Sequence, residues 1–208
     1  MLSSLSVTDL LNKIASNSPA PGGGSVSALA ASLGAALTSM VCRLTIGKKK
    51  YIEAQMEIEN VLKRSEELRL QFMSLIDEDT EAFDKVMAAY GLPKETEEQK
   101  TERTAEIQKA LKTATLVPLK LTELCREAME LVKIVVEKGN QNSISDASVA
   151  ALMLQAGCEG AALNVKINLG SISDTDFVEQ TKMKLEHSSS ALNTVATDIF
   201  ASVAKQIM

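Results

Sequence analysis

SVSALAASLGAALTSMVCRLT, residues 25–45, decides the fold. It is uncharged from Ser25 to Cys42 and carries small residues at Ser27, Ala31, Gly34, Ala35 and Thr38. Small side chains at helical spacing let a second backbone approach closely. A second stretch, DASVAALMLQAGCEGAALNVKIN at 146–168, has the same character through Ala147, Ala150, Ala151, Ala156, Gly157, Gly160 and Ala161. The two predict a pair of helices packed against each other at the centre of a bundle. Residues 25–42 are nearly long enough to span a bilayer. Their Ser, Thr, Gly and Ala content, and the lack of a comparable second span, favour a buried helix over a membrane segment.

The composition agrees. Of 208 residues, 45% are hydrophobic, 24% charged and only 3% aromatic, with no Trp. A core of Ala, Leu, Ile, Val and Met suits helix–helix packing better than a sheet. The length suits one domain over 1–208. A net charge of −5 and a pI near 5.1 argue against nucleic acid as the main partner. Cys42, Cys125 and Cys158 are odd in number and sit in apolar helical patterns, so they read as reduced core thiols. No signal peptide opens the chain, and a cytoplasmic protein is expected.

Further helices follow from periodicity and caps. Ser6 to Asp9 has capping-box form and predicts a first helix to about Ser16. Asn17 to Gly24 reads as non-helical. A long helix is expected over Tyr51–Tyr90, with an apolar stripe at Leu68, Phe72, Ile76, Phe83, Val86 and Tyr90. Lys94–Lys100 reads as a loop or a frayed helix start. The next helix reaches Val117, where Pro118 kinks it or begins another running to Lys138. After a turn at Gly139–Ser143, Ser145 or Asp146 can cap the second small-residue helix. Ser173–Asp176 caps a last helix, whose Ser188–Ser190 run reads either as a break or as part of it. The prediction is an all-α, up-and-down bundle.

The candidate chemistry is narrow. His187 is the single histidine and no cysteines pair at ligand spacing, so a zinc site is not expected. Walker, Gly-x-Ser-x-Gly and zinc-deaminase signatures are absent. Carboxylates, lysines, Tyr and backbone dipoles remain. Asp79 falls on the apolar stripe, three after Ile76 and four before Phe83, where a carboxylate costs desolvation. It is either a satisfied core residue or an acid/base group tuned by its surroundings. Gly22, Gly23 and Gly24 lead into a helix N-terminus, which offers free N–H groups to a ligand; the same loop can be a plain turn. Lys48, Lys49, Lys50 and Tyr51 can hold anions or form a solvated run. Asn140, Asn142, Ser145 and Asp146 gather amides and a carboxylate at the second small-residue helix, where a simple cap is the alternative.

Together these segments resemble the cyclodeaminase/cyclohydrolase family of one-carbon folate enzymes. The matching stretches are PAPGGGS (19–25), GKKKY (47–51), DEDTEAF (77–83), GNQNSISD (139–146) and NVKINL (164–169). The resemblance implies an all-helical homodimer that acts on a tetrahydrofolate, plain or polyglutamylated, without metal or cofactor. Asp79 and Lys50 would be catalytic. Gly22, Gly23, Gly24, Tyr51, Asn140, Asn142, Ser145 and Asp146 would bind substrate. No formiminotransferase-like region accompanies these motifs, which favours methenyltetrahydrofolate cyclohydrolase over formiminotetrahydrofolate cyclodeaminase. A non-catalytic helical dimer is the reading from another class.

Overall fold

The computed structural model describes residues 1–207. Among them are six α-helices and no strand: α1 Val7–Ile14, α2 Gly23–Thr45, α3 Gln55–Tyr90, α4 Glu97–Lys138, α5 Ile144–Leu169 and α6 Thr175–Ile207. Short 3-10 turns stand at Leu2–Ser4, Lys49–Ala54 and Gln141–Ser143. Consecutive long helices run antiparallel. Ser25 meets Ile76 and Ser39 meets Ser65 across α2 and α3. Lys138 pairs with Glu57, and Arg64 with Glu127, across α3 and α4. This is the expected up-and-down bundle.

The two small-residue helices do pack together, also antiparallel. A β-carbon on Gly157 would lie 2.8 Å from the Ser27 carbonyl oxygen, and one on Gly34 would lie 2.9 Å from that of Ala150. Any larger residue would push the helices apart. Their inner faces join α3, α4 and α6 in one core that includes Ala31, Ala35, Leu68, Phe72, Met129, Leu154 and Leu192. The three cysteines are buried and free. Burial pushes the Cys42 thiol up to about 12 and that of Cys158 to about 11. α2 is long and apolar enough to cross a membrane, yet most of its most apolar window is buried within the bundle.

Several expected boundaries move. Ser6 caps α1 through the Asp9 N–H, but the helix ends at Ile14. Gly23 and Gly24 belong to the first turn of α2 rather than to the loop. Tyr51 lies in a 3-10 turn with non-helical backbone, so α3 begins only at Gln55. The polar run before α4 holds a complete capping box: Thr96 accepts from the Gln99 N–H and Gln99 reaches back to the Thr96 N–H. α4 continues unbroken through Pro118. The residue entering α5 is Ser143, ahead of Ser145 and Asp146, because a 3-10 turn already directs the chain into the helix. Asp174 caps α6 through the Phe177 N–H, and no break occurs at Ser188–Ser190.

Central burial is one-sided. α2 bares Val26, Leu33 and Leu44, and α5 bares Val149, Leu152, Leu163 and Ile167. Both helices lack charge around most of their circumference, so the sequence gives no sign of which face meets solvent.

Candidate active site

A cavity of about 290 Å³ opens where the N-terminus of α2 meets α3, α4 and the last turns of α5. It is lined by Pro19, Ala20, Gly22–Gly24, Asp79, Phe83, Val86, Ala114, Asn164, Ile167 and Asn168. Asp79 is its one charged lining residue.

Asp79 is placed by α3 and held by α2. Ser25 Oγ, in the first turn of α2, donates to Asp79 Oδ2 at 2.9 Å, and it also lies 3.0 Å from the Ile76 carbonyl oxygen. Gly22, at the N-cap of α2, has no side chain to bind the free N–H groups. The carboxylate from α3 lies against that turn, beside Gly24 and Ser25. Burial raises the Asp79 carboxyl above its ordinary value, and the Ser25 bonds only partly oppose this. The result is a half-buried carboxylate facing a cavity, fit to accept a proton or to stabilise a cation. Phe83 is half-buried because it faces the same cavity, while Tyr90, expected on the stripe, is exposed.

Two lining residues were not picked out as site candidates in the sequence. Asn164 Nδ2 donates to the Gly160 carbonyl at 2.8 Å, and Asn168 Nδ2 to the Ala114 carbonyl at 3.1 Å. With both amide nitrogens engaged, the side-chain oxygens remain as acceptors beside Asp79. Their four-residue spacing on one face of α5 was legible; the partners that orient them were not.

The remaining candidates gather elsewhere. Tyr51 Oη accepts from the Gln141 N–H at 3.1 Å and lies 3.5 Å from Asn140 Oδ1. Asn140 is buried, its N–H donating to Thr45 Oγ1 and its Nδ2 to the Leu44 carbonyl. Lys50 is exposed, with Nζ 5.4 Å from the centre of the Tyr51 ring. The Gln141 bond is the chief cause that lowers the Tyr51 phenol below its ordinary value, with Lys50 and Lys48 adding to it. Asn142 and Ser145 are exposed and Asp146 half-buried at the same end. This cluster stands at the C-terminal end of α2. Asp79 lies 24 residues beyond the start of α3, about 36 Å at 1.5 Å per residue. Within one chain, therefore, Lys50 does not reach Asp79. Among the described residues no group of three or more His, Cys, Asp or Glu gathers where it could hold a metal.

A family model described as formiminotransferase-cyclodeaminase matches residues 6–187. The chain belongs to the formiminotransferase-cyclodeaminase family. It is 52% identical over 86% of each chain to a methenyltetrahydrofolate cyclohydrolase of Methylorubrum extorquens. It is 36% identical to the formimidoyltransferase-cyclodeaminase of Rattus norvegicus over 86% of its own length, but spans only 33% of that protein. A crystal structure of formiminotetrahydrofolate cyclodeaminase from Thermotoga maritima superposes over the whole of both chains, with a TM-score of 0.91 and 30% identity. The cavity thus sits in a fold shared with that cyclodeaminase.

Proposed function

We propose that this chain hydrolyses 5,10-methenyltetrahydrofolate to 10-formyltetrahydrofolate. The observation that carries the reading is the Asp79 carboxylate, half-buried at the wall of a cavity beside a glycine turn. The substrate's one-carbon unit is a cationic carbon between N5 and N10. An anionic, poorly solvated carboxylate favours that cation and accepts a proton from the water that attacks it. Water oxygen bonds to the carbon, giving a neutral tetrahedral adduct and protonated Asp79. The carbon–N5 bond then breaks as Asp79 returns its proton to N5. The hydroxyl proton leaves to solvent as the formyl carbonyl forms on N10. One water is consumed and one proton released. The step assigns no metal and no cofactor.

The 52% identity to a cyclohydrolase supports this branch. The second reading is formiminotetrahydrofolate cyclodeamination, favoured by the full-length likeness to the Thermotoga maritima enzyme. There the attacking group is a folate nitrogen and ammonia leaves from a similar tetrahedral carbon. Offering both substrates to one preparation separates them. Loss of methenyl absorbance should show the higher kcat/KM. An advantage for ammonia release above about tenfold, roughly 1.4 kcal/mol, would favour the deaminase. Folate binding without turnover of either substrate would leave a non-catalytic dimer.

The proposal includes a cytoplasmic homodimer, with a polyglutamate tail accepted on the substrate. The bare apolar faces of α2 and α5 support association, because large contiguous apolar patches mark interaction surfaces.

A further inference from the structure

Residues 1–22 form a strap with one end tied to α3 and the other in the cavity wall. At the tied end the Leu2 N–H donates to Asp77 Oδ1, and Ser3 Oγ donates to Asp77 Oδ2 at 2.6 Å. Leu2 is 5% exposed and joins the main core. At the other end Pro19, Ala20 and Gly22 line the cavity. Between the two, α1 turns Leu10 and Ile14 toward the core and leaves Val7 and Leu11 in solvent. Among the described residues, the hydrogen bonds of residues 4–21 all stay within residues 1–21. Ser18 Oγ, for one, donates to the Ala20 carbonyl at 2.7 Å. A helix of eight residues is marginal in water without outside support. The strap therefore keeps its place through a few apolar anchors and through the carboxylate of Asp77.

Asp77 differs from its neighbour Asp79 in the way this role requires. It does not line the cavity. Burial pushes its carboxyl up, but the bonds from Ser3 and Leu2 outweigh burial and leave it below its ordinary value. Asp79, two residues on, is moved up by burial. One carboxylate stays ionised and holds donors, while the other can take up a proton.

We propose that Asp77 is a positioning residue for the folate site: by holding Leu2 and Ser3 it fixes the strap, and so keeps Pro19 and Ala20 in place against the bound substrate. This rests on the folate reading above.

Hydrogen bonds to a charged acceptor are roughly twice as strong as neutral ones, and two on one carboxylate fix both position and direction. Without them the strap gains freedom, and a ligand has to order the wall as it binds, which weakens affinity. The acid/base geometry stays, because Asp79 and Ser25 stand on α3 and α2 themselves. Loss of the tie therefore raises KM and leaves kcat in place, the mark of binding that ground and transition states share.

Trypsin reads the strap directly, since Lys13 is exposed and is the single lysine or arginine before Arg43. Two variants release the tie from opposite sides. Asp77→Ala removes the acceptor from α3, and Ser3→Asp sets a like charge against Asp77 and leaves α3 untouched. Circular dichroism and the cleavage rate within α3 and α4 report whether the bundle persists. In both variants native-state cleavage after Lys13 should rise at least about tenfold, the scale of losing hydrogen bonds to a charged group. KM for methenyltetrahydrofolate should rise about tenfold, with kcat held within about twofold. Cleavage at the wild-type rate in both variants overturns the tie. Faster cleavage with unchanged KM overturns the positioning role. A fall in kcat at unchanged KM overturns it too, because the effect then passes along α3 to Asp79 and not through the strap. The proteolysis needs no substrate. A wild type that turns over neither folate, but whose strap both variants release, would fail the substrate reading while the tie to Asp77 stands.

Discussion

A β-carbon on Gly24 would lie 2.5 Å from Asp79 Cγ and 2.7 Å from its Oδ2, with Oδ1 nearer still. The first turn of α2 and the carboxylate of α3 thus share one space. Gly24→Ala must displace Asp79, since the backbone of a helix first turn yields less easily than a side chain. Turnover should fall by at least about 100-fold, the scale of losing an acid/base group. Gly23 is the control. Its β-carbon would meet Asn164 Nδ2 at 3.4 Å, an ordinary contact. Gly23→Ala should hold or raise the melting temperature, since alanine in a helix gains roughly 0.5–1 kcal/mol over glycine. Its effect should appear in KM. Equal losses in both variants would remove the special relation between Gly24 and Asp79.

Asp79→Asn keeps the size of the side chain and removes the titrating group. Wild-type kcat/KM should rise with pH through a carboxyl value above the ordinary range, because the base must be ionised. The variant should be slower and lack that limb. Stability moves the other way. Asp79 binds its proton more tightly folded than unfolded. Between the unfolded and folded values the native state therefore holds more protons, and stability falls as pH rises through that window. The loss persists at neutral pH, so Asp79→Asn should melt higher than wild type at pH 7, and the difference should vanish at acid pH below both values. Thermal melts across that range check it; a variant that melts lower at pH 7 would show that the Ser25 bonds outweigh desolvation.

Buried thiols pushed well above their ordinary value carry almost no thiolate at neutral pH. The native protein should therefore show no thiol titre with a disulfide reagent at pH 7.5, and three thiols after denaturation. A fast-reacting native thiol would mean that α2 or α5 opens locally.

The fold was legible where residues report their own packing. Small residues in α2 and α5 announce a close helix pair, and Asp79 announced itself by standing on an apolar stripe. What stayed hidden depends on partners far away in the chain. Gly23 and Gly24 read as loop because glycine disfavours helix; α2 nevertheless starts there, its open N-terminus facing a carboxylate about 55 residues on. Thr96 and Gln99 were masked by the charges around them. The outer faces of α2 and α5 carry exposed apolar residues as well, so no pattern told a two-sided core from a one-sided one. The separation of Lys50 from Asp79 could not be read either, because helix spacing places each residue on its own element and not the elements' ends relative to one another.

Pro118 and Asn168 should prove coupled through Ala114. In a helix the Ala114 carbonyl would accept from the N–H of residue 118, and proline has none. α4 still runs unbroken, and the orphan carbonyl accepts from Asn168 Nδ2 at 3.1 Å instead. One bond thus relieves the proline, ties α4 to α5 and sets the orientation of a cavity-lining amide. Asn168→Ala should cost about 1 kcal/mol, the scale of a partly buried hydrogen bond. Pro118→Ala restores the missing N–H, so in that background the carbonyl has its own partner. There Asn168→Ala should cost appreciably less. A double-mutant cycle from urea unfolding of the four proteins gives the coupling energy directly. A value above about 0.5 kcal/mol supports the link, being outside the scatter of independent sites. Additive costs would mean that the Ala114 carbonyl is satisfied by solvent from the cavity, and that Asn168 is held there by the packing of α5 alone.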